Sequence, residues 1–175
     1  MKKLLIVVDY QKDFVDGALG FEKALTLDEG ICAKIASYRQ AGDVVAFTYD
    51  THQTDYMNTQ EGRNLPVPHC IHGTEGWELY GRTAQMKQAG DPVFAKPAFG
   101  SAELMDYLRQ TPYAQIELIG VVTNICVISN AMIAKAAQPE TPVVIDASLC
   151  ASNDNAMHEK ALDVLAGVQC QIINR

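Results

Sequence analysis

The stretch Ile116–Val127 constrains the fold of this chain more than any other, because it joins two hydrophobic periodicities within twelve residues. It begins as a short apolar run typical of a buried strand, turns at Gly120, and continues with apolar residues at helical spacing. Cys126 is therefore expected in the first turn of a helix that follows a buried strand. The free N–H groups of such a turn favour a thiolate, so Cys126 is either a reactive thiol or a small buried hydrophobic residue.

Further apolar runs alternate with helical patterns along the whole chain. The sequence predicts additional strands at 4–8, 44–49, 92–95, 142–145 and 168–173, and helices at 27–41, 78–89, 101–109 and 153–166. This alternation predicts an α/β fold with a mostly parallel six-stranded sheet and helices on both faces. At 175 residues, the chain is expected to form a single domain over residues 1–175.

The composition excludes several classes of partner. The net charge of −7 argues against nucleic acid or an anionic membrane as a partner. No apolar run reaches the length of a membrane span, and no basic segment followed by an apolar stretch resembles a secretory signal. The five cysteines are an odd number without a pairing pattern, which favours free thiols and a cytoplasmic location.

Three chemically active side chains follow three of the predicted strands. Asp9, Lys96 and Cys126 come directly after the first, third and fourth strands. Because the carboxyl ends of parallel strands share one edge of the sheet, we expect these side chains to converge. A lysine at the end of a buried strand needs a partner, which Asp9 can supply. Taken singly, the three residues are also compatible with a turn aspartate, a surface lysine and a core cysteine.

The sequence around these positions resembles the isochorismatase-like cysteine hydrolase family. The resemblance lies in IVVDYQKDF at 6–14, FAKPAF at 94–99 and GVVTNICV at 120–127. It implies a Rossmann-like three-layer sandwich with strand order 3-2-1-4-5-6 and a catalytic triad of Asp9, Lys96 and Cys126. It also implies a non-proline cis peptide between Val121 and Val122, and an oxyanion hole formed by the backbone N–H groups of Val122 and Cys126.

The loop after the second strand resembles the metal site of the nicotinamidase subgroup. The resemblance implies a divalent metal ion bound by Asp50, His52, Glu61 and His69, with Asn58 as the other polar residue in the region of Glu61. Two imidazoles and two carboxylates suit Zn²⁺, Fe²⁺ or Mn²⁺. The alternative interpretation is a polar loop with surface histidines.

The resemblance implies a metal-assisted nicotinamidase that converts nicotinamide, a small-molecule amide, to nicotinate and ammonia through a thioester. It also implies a homo-oligomer, and either substrate packing or core packing for Phe14. Another hydrolase of the same family, an isochorismatase or a carbamoyl-amide hydrolase, is the main alternative. Isochorismatases need no metal, so the metal-ligand pattern argues against them. A non-catalytic nucleotide- or flavin-binding module is disfavoured, because the turn after Asp9 has no Gly-x-Gly-x-x-Gly pattern.

Overall fold

The sheet of this protein has six strands in the order β3-β2-β1-β4-β5-β6, and every neighbouring pair is parallel. The structure is a computed structural model that describes residues 1–175. The strands are β1 Lys3–Val8, β2 Val44–Asp50, β3 Val93–Lys96, β4 Gln115–Val121, β5 Val143–Ala151 and β6 Gln171–Ile173. The predicted α/β class and strand order are therefore confirmed.

Eight α-helices, two 3₁₀ turns and one π-helical turn connect the strands. The α-helices are α1 Lys12–Val15, α2 Glu22–Leu25, α3 Asp28–Gln40, α4 Gln60–Asn64, α5 Gly81–Met86, α6 Ala102–Gln110, α7 Ile128–Ala137 and α8 Asn155–Gly167. Single 3₁₀ turns lie at Tyr56–Asn58 and Glu75–Trp77, and one π-helical turn lies at Thr123–Val127. None of the helices has the length and hydropathy that a membrane span requires.

Alternating side chains of the strands point to opposite faces of the sheet and form two separate hydrophobic layers. In β1, Leu4, Ile6 and Val8 pack against α6, α7 and α8 on one face of the sheet. Leu5 and Val7 point the other way, where α3 covers the sheet together with α1 and α2. The central strands are thus buried on both faces, which explains their continuous apolar sequences.

Helix ends agree with the sequence where a polar cap is available. The side chain of Ser101 accepts a hydrogen bond from Leu104 at the start of α6, and Asp154 accepts two at the start of α8, from Ala156 and Met157. The helix expected at 27–41 is α3, at 28–40, although it has no side-chain cap. Two other predictions were less accurate. The helix expected at 78–89 is only α5, at 81–86, and the strand expected at 168–173 is only β6, at 171–173.

The largest difference from the prediction concerns β5, which was expected to end at Asp146. The strand continues to Ala151, and its register against β4 shifts between Leu118 and Gly120. Asp146 therefore lies within the strand, where its carboxylate pairs with Lys34 of α3 at 2.9 Å. A buried ion pair stabilises an acid at this position, so the apolar run alone did not mark the end of the strand.

Candidate active site

Asp9 follows β1 directly and has an unusual backbone conformation. Its φ of 47° lies in the left-handed region, which non-glycine residues rarely adopt outside functional sites or turns. The side chain is fully buried, and its Oδ1 accepts a hydrogen bond of 2.6 Å from the hydroxyl of Thr48 on the neighbouring β2. Thr48 thus fixes the rotation of the carboxylate and leaves Oδ2 to other partners.

Lys96 at the end of β3 reaches across β2 to this second oxygen. Its Nζ lies 2.6 Å from Asp9 Oδ2, 3.5 Å from Asp50 Oδ1 and 3.5 Å from the sulfur of Cys126. The side chain is fully buried. Burial lowers the pKa of Lys96, but the attraction of Asp9 and Cys126 outweighs it, so the pKa lies above the ordinary value. The ammonium therefore remains charged.

Cys126 lies in the π-helical turn between β4 and α7, the kind of turn that often occurs at functional sites. Burial and the nearby Asp9 carboxylate raise the pKa of its thiol well above the ordinary value, although Lys96 opposes the shift. The sequence had suggested a stabilised thiolate at this helix start. Loss of hydration at a residue that is 4% exposed is the largest cause of this shift, and it opposes the effect of the helix start. Of the two carboxylates beside Lys96, Asp9 lies closer to the ammonium, at 2.6 Å against 3.5 Å for Asp50.

The three side chains from separate strand ends thus meet, as the sequence predicted. The expected cis peptide between Val121 and Val122 is present as well. Val122 and Cys126 both line one cavity, so the two residues of the predicted oxyanion hole face the same space. Their catalytic roles stay predictions.

The four predicted metal ligands also come together. Potential donor atoms of Asp50, His52, Glu61 and His69 all lie within 4.8 Å of one another. Oδ2 of Asp50 is 3.0 Å from Nε2 of His52 and 3.3 Å from Nε2 of His69. Glu61 Oε1 lies 3.7 Å from each of these two nitrogens. Glu61 lies beside both imidazoles, whereas Asn58 is exposed to solvent, so the geometry favours Glu61 as the predicted fourth ligand.

The chemistry of this donor set fits a divalent cation. Nδ1 of His69 lies 2.8 Å from the carbonyl oxygen of Val67, an arrangement in which Nδ1–H donates and the Nε2 lone pair faces the cluster. Backbone hydrogen bonds from the N–H of His52 to the Cys70 carbonyl and from the N–H of His72 to the His52 carbonyl fix the loop around the ligands. Two imidazole nitrogens and two carboxylate oxygens form a set that Zn²⁺, Fe²⁺ or Mn²⁺ accepts.

A cavity of about 240 Å³ connects the two clusters. Cys126 lies on its wall together with Asp50, Glu61 and His69. The rest of the wall is mainly apolar and is formed by Phe14, Leu19, Leu65, Phe99, Val122 and Ile125, with Asn153 as a further polar residue. A small, largely apolar molecule therefore has room to contact Cys126 and the donor set at once. Phe14 lines the cavity and also belongs to the core, so both interpretations of this residue apply.

The isochorismatase domain model matches residues 3–174 of this sequence. The chain belongs to the isochorismatase family. An uncharacterized isochorismatase family protein of Bacillus subtilis, PncA, is 34% identical over 143 residues, which cover 75% of this chain and 78% of the relative. The nicotinamidase/pyrazinamidase of Mycobacterium tuberculosis is 27% identical over 171 residues, covering 89% of this chain and 90% of the relative.

A solved structure agrees with this family assignment. The crystal structure of nicotinamidase/pyrazinamidase PncA from Bacillus subtilis superposes with a TM-score of 0.88 at 33% sequence identity. The match covers 98% of this chain and 99% of that chain. The family assignment is therefore supported both by the sequence and by the structure of this chain.

Several buried polar residues that support the site were missed from the sequence of this isochorismatase-family chain. Gln11 donates from Nε2 to the carbonyls of Asp50 and Trp77, at 2.9 and 2.8 Å, and its Oε1 accepts the N–H of Asp50 at 2.7 Å. It thereby fixes the end of β2, from which Asp50 enters the site. The only sequence signal for this role of Gln11 was its position two residues after Asp9, within the segment that resembles the family.

The turn that carries Cys126 is fixed by side chains from other elements. Oγ1 of Thr123 lies 2.8 Å from Nδ1 of His158 on α8, and both residues are buried. Ser152, beyond the end of β5, donates to Oδ1 of Asn124 at 2.7 Å. Neither contact was predicted, because hydroxyl, amide and imidazole groups in these segments also suit ordinary helix caps and loops.

Proposed function

We propose that this protein is a nicotinamidase, which hydrolyses nicotinamide to nicotinate and ammonia. The observation that carries the proposal is the single cavity shared by Cys126 and the donor set of Asp50, Glu61 and His69. Family membership and the nicotinamidase relatives indicate an amide-bond hydrolase. The apolar wall suits a heteroaromatic ring, and the donor set suits a ring nitrogen held through a cation.

In the proposed reaction, Cys126 attacks the carboxamide carbon while its proton passes to Asp9. The sulfur–carbon bond forms as the carbonyl π electrons move to oxygen. Lys96 stays protonated and lies within 3.5 Å of the sulfur and 2.6 Å of the carboxylate, so its charge stabilises both groups as they exchange the proton. The backbone N–H groups of Val122 and Cys126 are the proposed donors to the oxyanion, each worth about 3–4 kcal/mol of barrier.

Collapse of the tetrahedral intermediate breaks the carbon–nitrogen bond, and Asp9 returns its proton to the leaving ammonia. Asp9 then accepts a proton from water as water attacks the thioester, which releases the carboxylate product and the thiol. Thr48 holds the carboxylate in one orientation through both proton transfers. A cation bound by Asp50, His52, Glu61 and His69 would orient a ring nitrogen and draw electron density from the ring.

The proposal includes a cytoplasmic location and assembly as a homo-oligomer. Support for the location comes from the cysteines, since all five are free, as suits a reducing compartment. Support for assembly is the resemblance to the family alone.

The direct test is an ammonia-release assay on nicotinamide and a panel of small amides. We expect Cys126→Ala to lower the rate at least ~10³-fold, because the nucleophile is removed. Cys32→Ala, at a half-buried cysteine of α3 outside the cavity, is the matched control and should keep wild-type activity. Retained activity in Cys126→Ala would eliminate the thioester mechanism.

Metal analysis separates this proposal from other activities of the family. Protein purified without a chelator or a histidine tag should contain about one divalent ion per chain. A sub-stoichiometric mixture of metals would remove the reason to prefer nicotinamide. Cleavage of carbamoyl amides without cleavage of nicotinamide would assign the protein to the carbamoyl-amide hydrolases instead.

A further inference from the structure

Asn130 on α7 is a fully buried amide with no role in the chemistry above. Its Nδ2 donates to the carbonyl oxygen of Cys126 at 2.8 Å and to that of Phe99 at 3.1 Å. Its Oδ1 accepts the backbone N–H of Ser101 at 3.0 Å. The side chain therefore connects the backbone of the nucleophile turn with the loop between β3 and α6.

The orientation of this amide is determined by its partners. The NH₂ group faces two carbonyl oxygens, and the oxygen faces a backbone N–H. A flipped amide would place an acceptor against two acceptors and a donor against a donor. Because all three partners are backbone groups, Asn130 fixes chain positions rather than mobile side chains.

The loop that Asn130 holds follows Lys96 directly in the chain and contacts its side chain. The carbonyl oxygen of Ala98 accepts a hydrogen bond of 3.1 Å from Nζ of Lys96, and Phe99 lines the cavity. Gly100 lies directly on α7, since a Cβ added to it would come within 2.7 Å of Ile133 Cδ1. The loop is thus packed closely enough on the helix for one amide to span it.

We propose that Asn130 is a positioning residue that sets the placement of the Cys126 sulfur relative to the Lys96 ammonium. It bonds on one side to the backbone of the nucleophile and on the other to the loop that carries a hydrogen-bond acceptor of the lysine. The two reactive atoms lie 3.5 Å apart, a distance at which a shift of about 1 Å is costly. The catalytic consequence rests on the proposed function, whereas the effect on thiol reactivity does not.

The chain offers a matched control at the other end of the same helix. Gln138, which caps α7, donates from Nε2 to the carbonyls of Leu108 and Thr111 at 2.7 and 2.8 Å. Its Oε1 accepts the N–H of Tyr113 at 3.2 Å. It is an amide with the same pattern of bonds to α6 and the chain beyond it, but it lies outside the cavity.

Two substitutions separate the contacts of Asn130. Asn130→Ser should keep a hydrogen bond to the Cys126 carbonyl, because the neighbouring Ser129 donates to the carbonyl of Ile125 in the same way, at 2.6 Å. The introduced side chain is too short to reach the backbone groups of Phe99 and Ser101. Asn130→Leu removes all contacts at similar volume. Gln138→Ser and Gln138→Leu are the corresponding controls.

The experiment measures kcat, KM, Tm and the rate of Cys126 alkylation by iodoacetamide, with Cys126→Ala as the blank for the other cysteines. We expect both Asn130 variants to lower kcat about 10- to 100-fold with KM changed less than about threefold, and to slow alkylation about tenfold. Gln138 variants, at a half-buried amide, should also lower Tm but leave kcat and alkylation within twofold of wild type.

Each outcome decides between the possibilities. Equal losses of kcat in the Asn130 and Gln138 pairs, following Tm, would reduce Asn130 to a structural residue and overturn the inference. Unchanged kcat and alkylation in Asn130→Ser would do the same, even if Asn130→Leu failed to fold. Slower alkylation in a protein that hydrolyses none of the amides would support the inference and contradict the proposed function.

Discussion

Replacing the buried ammonium of Lys96 by an apolar group should affect stability and activity together. Lys96→Met keeps the volume of the side chain but leaves the carboxylates of Asp9 and Asp50 without their shared cation. At an effective dielectric constant of about 20, attraction across 2.6 Å is worth about 6 kcal/mol and across 3.5 Å about 5 kcal/mol. Desolvation of the buried charges offsets much of this, so the net loss should be about 3–5 kcal/mol.

For a chain of this length, such a loss corresponds to a fall in Tm of about 6–20 °C. Activity should fall about 10²- to 10³-fold, because the charge beside the sulfur is removed. Differential scanning fluorimetry and ammonia release measure the two effects on the same samples.

The same substitution at Lys34 provides the control. Lys34 also pairs with two carboxylates, Glu117 at 2.7 Å and Asp146 at 2.9 Å, but its side chain is 22% exposed and lies outside the cavity. Lys34→Met should therefore lose less stability than Lys96→Met and keep its activity. If the two variants lost equal stability, or if Lys96→Met kept more than about a tenth of wild-type activity, the reasoning from burial and charge would be wrong.

Three further predictions concern the loop, the ion pairs and the backbone. Glu61→Gln should weaken divalent-ion binding at least ~10-fold in calorimetry while Tm changes little without the ion, and equal affinity would remove Glu61 from the donor set. Burial raises the pKa of Asp146, but hydrogen bonds from Lys34 outweigh it and hold the pKa below its ordinary value. The stabilisation by Asp146 is therefore complete above about pH 4 and is lost as the pH falls through its lower folded-state pKa. Asp146→Asn should therefore reduce the decrease in the free energy of unfolding at acid pH, measured by urea unfolding at a series of pH values. Gly120→Ala should lower Tm by at least ~5 °C, because φ is +114° and a Cβ would clash with Val8; an unchanged Tm would contradict this.

The sequence was most informative about the central strands and about the polar residues that follow them. Apolar runs marked the central strands, and the polar residues that end them, Asp9, Lys96 and Cys126, could be placed at one sheet edge from topology alone. Ser101, and either Asn153 or Asp154, marked two helix starts, because such side chains bond to backbone groups within three residues. Asp154 is the cap of the second helix. These signals are local, or they follow from the general rules of parallel sheets.

The sequence was least informative where a side chain finds a distant partner. Asn130 bonds to backbone groups 29 and 31 residues away, and nothing near it in the chain indicates them. Asp146 likewise marked a false strand end, because the compensating Lys34 belongs to a helix on another segment. The burial of Cys126, which raises the pKa of its thiol, was not readable either, since burial depends on the whole fold whereas the helix start is visible locally.

The segment between β2 and α5 is held by backbone hydrogen bonds at both of its ends. Thr51 donates to the carbonyl of Lys96 at 2.9 Å, and Tyr80 donates to that of Tyr10 at 2.9 Å. Between these two points the segment supplies Glu61, Leu65 and His69 to the cavity wall. Asp9 and Lys96, by contrast, lie at strand ends, and Cys126 lies in the π-helical turn after β4. Three residues of the cavity wall therefore come from a different stretch of the sequence than the thiol, the acid and the lysine. Substitutions within this segment can change the shape of the wall and leave those three side chains unaltered.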